Sequence, residues 1–170
     1  MNEYAVTVIG HDRPGIIADV AEALAGLGLN LTDSTMTRLR GHFAMTLVCA
    51  GSVAAGEVES ALAPLTAGRT LLVTVREVGE DLVEAPQGAH YVLTVHGADR
   101  LGIVAALSRT VAAAGGNITD LTTRLAGNLY VVVAEVDAPG AMDDLAAAID
   151  RVAAGLGVEA TLRPAEADLM

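Results

Sequence analysis

The chain writes one sentence twice. Tyr4–Asp33 (YAVTVIGHDRPGIIADVAEALAGLGLNLTD) aligns without a gap to Tyr91–Asp120 (YVLTVHGADRLGIVAALSRTVAAAGGNITD), an offset of 87 positions. A repeated word of this length implies one folding unit built twice, so any fold proposed for one half must serve the other. Beyond it the offset falls to 86, with TRLRG at Thr37–Gly41 against TRLAG at Thr123–Gly127. One extra residue near Met36, inside an expected strand, predicts a β-bulge there. The late strands realign at 87, Thr74-Val75-Arg76 against Thr161-Leu162-Arg163. The expected domains are 1–78 and 90–170, and the acidic GEDLVEAPQGA stretch at 79–89, with Pro and two Gly, reads as a linker.

Within each copy the apolar period alternates between strand and helix. Tyr4–Ile9 is a β-branched run; Ile16, Ile17, Val20, Leu24 and Leu27 recur at helical spacing and stop at Gly28. Leu29–Arg38 and His42–Ala50 form a hairpin around Arg40-Gly41. Val58, Leu62 and Leu65 mark a second helix, and Leu71–Val78 a last strand. Copy two repeats the order through Ile103, Val104, Leu107 and Val111, then Leu145, Ile149 and Val152. The order βαββαβ predicts an α+β fold, two tandem ferredoxin-like sandwiches with both helices on one face of a four-stranded antiparallel sheet. In NLYVVVAEV, Leu129, Val131 and Val133 alternate with Tyr130 and Val132, so both faces of that strand are apolar. Strands of this kind are normally covered twice, and a sister domain or a second subunit is the expected cover.

Charge narrows the function. Ten basic residues, all Arg, stand against 21 Asp plus Glu, a net charge of −11. Such a surface repels a phosphate backbone, which excludes direct nucleic-acid binding as the expected role. No apolar stretch reaches the roughly 20 residues of a membrane span. The opening MNEYAVTV has neither the basic start nor the apolar core of a secretory signal, and Cys49 is alone. The expected compartment is the cytoplasm.

The repeated turn carries the chemistry. Gly10 and Gly97 let the chain leave the first strand without a Cβ clash. Asp12 and Asp99 are expected N-caps, and Pro14 suits a first helical turn. Gly15 and Gly102 leave bare backbone at the helix start, ahead of Ile16 and Ile103. Everything to this point is consistent with helix initiation alone. A helix start with free amides also suits a carboxylate, and Arg13 and Arg100 add positive charge beside it. Asn30 and Asn117 open the second strand of each copy, each offering a donor and an acceptor. Amides for a carboxylate, with Asp and Asn for an ammonium group, suit a free amino acid.

The Asp-Arg-Pro-Gly-Ile turn, the Asn at the second strand and the βαββαβ order resemble the ACT domain, a small-molecule-sensing module of amino-acid metabolism. The tandem arrangement, with DRPGIIADVAEALAGLGLNLTDS, resembles the glycine cleavage system transcriptional repressor family. Similar turns also open formyltetrahydrofolate deformylases, which carry a catalytic domain after the ACT unit. The resemblance implies a non-catalytic regulator, with domains paired side by side and amino acids bound between the first turn of one and the second strand of its neighbour. It implies a homodimer, a small amino acid (glycine or serine foremost), a regulated protein partner, and no cofactor or metal. Carried over by position, the ligand residues are Asp12, Gly15, Asn30, Asp99, Gly102 and Asn117, with Arg13, Pro14, Ile16, Arg100 and Ile103 alongside. Copy two has Leu101 in place of Pro14, which makes copy one the expected better binder. The His that serine-sensing dehydrogenases place at the position of Gly10 and Gly97 is missing.

Catalysis finds little support. His11, His42, His90 and His96 are scattered without metal-ligand spacing, and Cys49 lies on an apolar strand. Ser34 and Ser108 have no evident base, and no phosphate-cradling or nucleophile-elbow motif is present. Two alternatives stay open: a ligand-free ACT module used only for dimerisation, and a small hydrolase or transferase.

Overall fold

Tyr4, Val6 and Val8 are completely buried while Ala5, Thr7 and Ile9 between them turn the other way. That alternation makes the first run a half-covered strand. The computed structural model describes residues 1–79 and 88–166. It divides into two compact units, Met1–Leu82 and Val83–Met170. The first unit holds β1 (Asn2–His11), α1 (Ile16–Gly26), β2 (Asn30–Leu39), β3 (His42–Gly51), α2 (Ala55–Thr66) and β4 (Leu71–Val78). The second holds β5 (Ala89–Ala98), α3 (Ile103–Ala113), β6 (Asn117–Ala126), β7 (Leu129–Ala138), α4 (Met142–Leu156) and β8 (Val158–Pro164). The sheets run β2-β3-β1-β4 and β6-β7-β5-β8, antiparallel throughout. This is the ferredoxin-like βαββαβ sandwich, twice. Most of the stretch expected as a linker, 80–87, lies outside the described residues, and β5 already includes Ala89.

Each helix buries one stripe on its sheet. In α1 these are Ile16, Val20 and Leu24; in α3 they are Ile103, Leu107 and Val111. Burial of such a side chain stabilises by about 1.5–3 kcal/mol. Both helices end in a Schellman closure. Gly28 (φ 72) and Gly115 (φ 73) adopt the left-handed conformation, and the amides of Leu29 and Gly116 bond back to Leu24 and Val111.

The bulge expected near Met36 is not there. Every element of the second unit begins 87 positions after its counterpart, as in Asn30 and Asn117, His42 and Leu129, Ala55 and Met142. The shift to 86 is a coincidence of turn chemistry. Arg40 (φ 50) and Gly41 (φ 84) form the first hairpin turn, with glycine second. In the second hairpin Gly127 (φ 61) comes first and Asn128 follows. Each places a glycine where a tight hairpin needs positive φ, but at different turn positions. Bulges do exist, between Leu31 and Asp33 and between Ile118 and Asp120, equivalent in the two copies. The extra residue Thr32 donates its hydroxyl to the Val48 carbonyl (3.3 Å). The bulge also moves Asp33 off the helix-covered face, which a regular strand would have given it together with Leu31.

Candidate ligand site

The repeated turn follows from two kinds of glycine. A Cβ on Gly10 would sit 1.9 Å from the Thr70 carbonyl oxygen, which accepts the His11 amide at 3.0 Å. A Cβ on Gly97 would sit 2.8 Å from Val158 Cγ1. These glycines therefore lie within β1 and β5, where the edge strand crosses closely, rather than releasing the chain from the strand. Gly15 and Gly102 are different. Both have φ 89, a conformation natural to glycine, and both occupy the N-cap position.

Asp12 and Asp99 are thus not the N-caps that the sequence led us to expect, and neither helix has a side-chain cap. The Asp12 amide instead bonds to the Gly41 carbonyl (3.1 Å) and its carboxylate accepts from Arg38 (3.5 Å), tying the turn to the hairpin. Because the cap has no side chain, the first three amides of each helix are left for another acceptor. The first intrahelical bonds run from Asp19 to Gly15 and from Ala106 to Gly102, both 2.9 Å. Ile16 and Ile103 are buried, so they present only their main-chain N–H at this end.

The two turns share a backbone but differ in charge. Leu101 is fully exposed, and its turn keeps the conformation of the Pro14 turn. Arg13 is clamped by its own helix: Nη2 meets Asp19 at 2.7 Å and Nη1 donates to the Pro14 carbonyl at 3.1 Å. Copy two has Ala106 in place of Asp19, and Arg100 forms no ion pair among the described residues. The guanidinium of Arg100 lies against Gly157 at the end of α4. An open depression of about 430 Å³ runs along Asp99–Ala105 and is also lined by Tyr130. Sequence reasoning missed Tyr130. Its signal was present, since it is the one site of the apolar strand where the first copy has a buried Phe43 and the second a phenol.

Asn30 and Asn117 are exposed and occupy the first positions of β2 and β6. Within a unit they are not brought to the turn. The 11-residue α1 and α3 stand between, a rise of about 16 Å. Each unit therefore carries its bare helix start and its Asn at opposite ends of one helix, so a ligand touching both would need more than one unit.

Catalytic groupings are sparse among the described residues. None brings three or more His, Cys, Asp or Glu together as a metal would require. Cys49 is fully buried and burial pushes its thiol up, the opposite of an activated nucleophile. His90 meets Asp137 and lies 3.7 Å from Glu135, with no nucleophile in the group. Among the described residues no helix is long and apolar enough to cross a membrane.

Comparison with known proteins places these features. The ACT domain model matches residues 4–76 and again 89–162. A UPF0237 protein of Listeria innocua is 35% identical over 81 residues, covering 47% of this chain and 91% of that one. One from Methanopyrus kandleri is 38% identical over 88 residues, covering 50% and 96%. Among solved structures, an unknown protein of Galdieria sulphuraria is 29% identical with TM-score 0.81, covering 96% of this chain and 98% of that one. A candidate glycine cleavage system transcriptional repressor shares the tandem fold at 19% identity and TM-score 0.71, covering 95% and 96%. With both copies matched over nearly their whole length, the chain belongs to the ACT-domain family and carries that domain twice.

Proposed function

We propose that this protein is a non-catalytic, amino-acid-sensing regulator of the cytoplasm that works as a homodimer and acts on a protein partner. The observation that carries the reading is the duplicated bare helix start. Two glycine N-caps with the same φ of 89 leave the first-turn amides of α1 and α3 without a side-chain acceptor, and a carboxylate satisfies such amides. Asn30 or Asn117 from a paired unit supplies the polar partner for the ammonium end. The ligand is a small amino acid, glycine or serine foremost. The likeness in fold to a candidate glycine cleavage system transcriptional repressor supports a role in glycine and one-carbon metabolism. The net charge of −11 supports action through a protein rather than on nucleic acid. Against the expectation drawn from Leu101, we take the second turn as the stronger binder, because among the described residues Arg100 forms no ion pair while Arg13 is held by Asp19, and the depression lies beside it.

A melting-temperature screen of the twenty amino acids tests this. The cognate ligand raises the midpoint as ln(1 + [L]/Kd). Asn30→Ala and Asn117→Ala remove that rise while leaving the ligand-free midpoint within about 1 kcal/mol of stability, since both side chains are exposed. Variants that bind like the parent would show that the half-sites are wrongly assigned.

A further inference from the structure

We infer that the helix-free face of the first unit's sheet is a self-complementary docking surface for a second copy of this chain. The inference rests on the homodimer of the reading above and names a surface for it that is separate from the ligand residues: Asn30 lies level with Glu3, at the far end of the strands from the turn after His11.

Register fixes what this face presents. Thr35, Thr46, Thr7 and Thr74 stand side by side across all four strands. The next row on one side is Thr37, Ala44, Ile9 and Leu72. On the other side it is Asp33, Val48, Ala5 and Arg76. The helices cover the opposite face, so Ile9 is 46% and Leu72 61% exposed. Across these three rows the inner strands carry no charge, and small side chains keep the surface flat.

The charges sit on the two edges, acid on β2 and base on β4. Asp33 and Arg76 are three strand spacings apart, about 14 Å, so they cannot pair within their own sheet. A two-fold axis running along the strands lays β2 of one copy over β4 of the other and β3 over β1. Asp33 then meets Arg76 of the second copy, twice per dimer. In the same arrangement Thr46 meets Thr7, Val48 meets Ala5 and Ala44 meets Ile9. A two-fold axis across the strands would set Asp33 over Thr37 and Arg76 over Leu72, with no ion pair. The second unit repeats the edge pair as Asp120 and Arg163, but its matching rows add Glu135 on the inner strand β7 and Glu159 on β8. The same axis would set Glu135 over Ala5 with no partner, so the better complement of the first face is another first face. Two faces about 19 Å by 27 Å bury roughly 1,000 Å² together, the lower bound for a specific interface.

Sedimentation equilibrium of the full chain, over micromolar concentrations, tests this. The parent is expected to show a monomer–dimer equilibrium. Asp33→Arg and Arg76→Asp each weaken it at least about tenfold, because each reversal creates two like-charge meetings. The double exchange restores the parent constant to within about threefold. Thr46→Arg, at the centre of the face, weakens it independently of the edge charges. A parent dimer indifferent to all these changes would overturn the docking face and leave the homodimer standing. A parent that stays monomeric would overturn both.

Discussion

Replacing Gly10 by Ala tests how the turn is held, and its effect follows from the coordinates. The new Cβ would lie 1.9 Å from the Thr70 carbonyl oxygen and 2.9 Å from Leu71 Cα. Reaching ordinary contact requires the start of β4 to retreat by more than about 1 Å, given the stiffness of a packed interior. That breaks the His11–Thr70 hydrogen bond, worth about 1 kcal/mol. It also displaces Leu71, only 5% exposed, at an overpacking cost of about 1–3 kcal/mol. The expected loss is about 2–4 kcal/mol. Gly15→Ala is the control, because its Cβ would meet only Arg13 Nη1 at an ordinary 3.8 Å. Its cost is the left-handed backbone alone, about 1–2 kcal/mol. A global melt mixes two units, so native-state hydrogen exchange read by peptide is the suitable assay. Protection should fall in β1 and β4 peptides far more for Gly10→Ala, with β5 and β8 peptides as an internal reference. Equal losses for the two variants would refute the close strand crossing as the reason for glycine at position 10.

Three further outcomes follow from the side chains. Asp19→Ala releases Arg13 from an exposed ion pair, costing under about 1 kcal/mol of stability; titration calorimetry should then show stronger anion binding at the first turn, bringing it toward the second. Burial raises the Cys49 thiol, so its contribution to stability is complete below the ordinary thiol value of 9.0 and is lost as pH rises through the raised one. Denaturant unfolding from pH 8 to 10 should show that decline in the parent and a shallower one in Cys49→Ala. A thiol-reactive dye should label Cys49 only after unfolding.

Much of the fold was legible because hydrophobic period and turn residues repeat. Val20 and Leu24, or Tyr4 and Val6, had no other way to share a core. The single bulge expected near Met36 was misplaced because a glycine in either position of a tight hairpin serves the turn, and matching letters at Thr37–Gly41 and Thr123–Gly127 concealed an unchanged spacing. The caps were misread for a different reason. Asp12 is the better capping residue by chemistry, yet the crossing of β4 over Gly10 and the bond from Asp12 to Gly41 carry the chain past it, leaving Gly15 at the helix start. The turn and the Asn of each copy were legible as residues. The helical spacing from Ile16 to Leu27 already separates Gly15 from Asn30; what spacing does not show is which unit's Asn faces which turn. Nor does a row of four threonines appear until three strand registers are known.

Isothermal titration of serine, and separately of glycine, into the purified full-length chain tests amino-acid sensing most directly. Saturable heat with one of them, lost when Asn30 and Asn117 are both changed to Ala while the ligand-free fold stays intact, is the predicted result. No heat from either ligand, nor from the other eighteen amino acids at millimolar concentration, would contradict it.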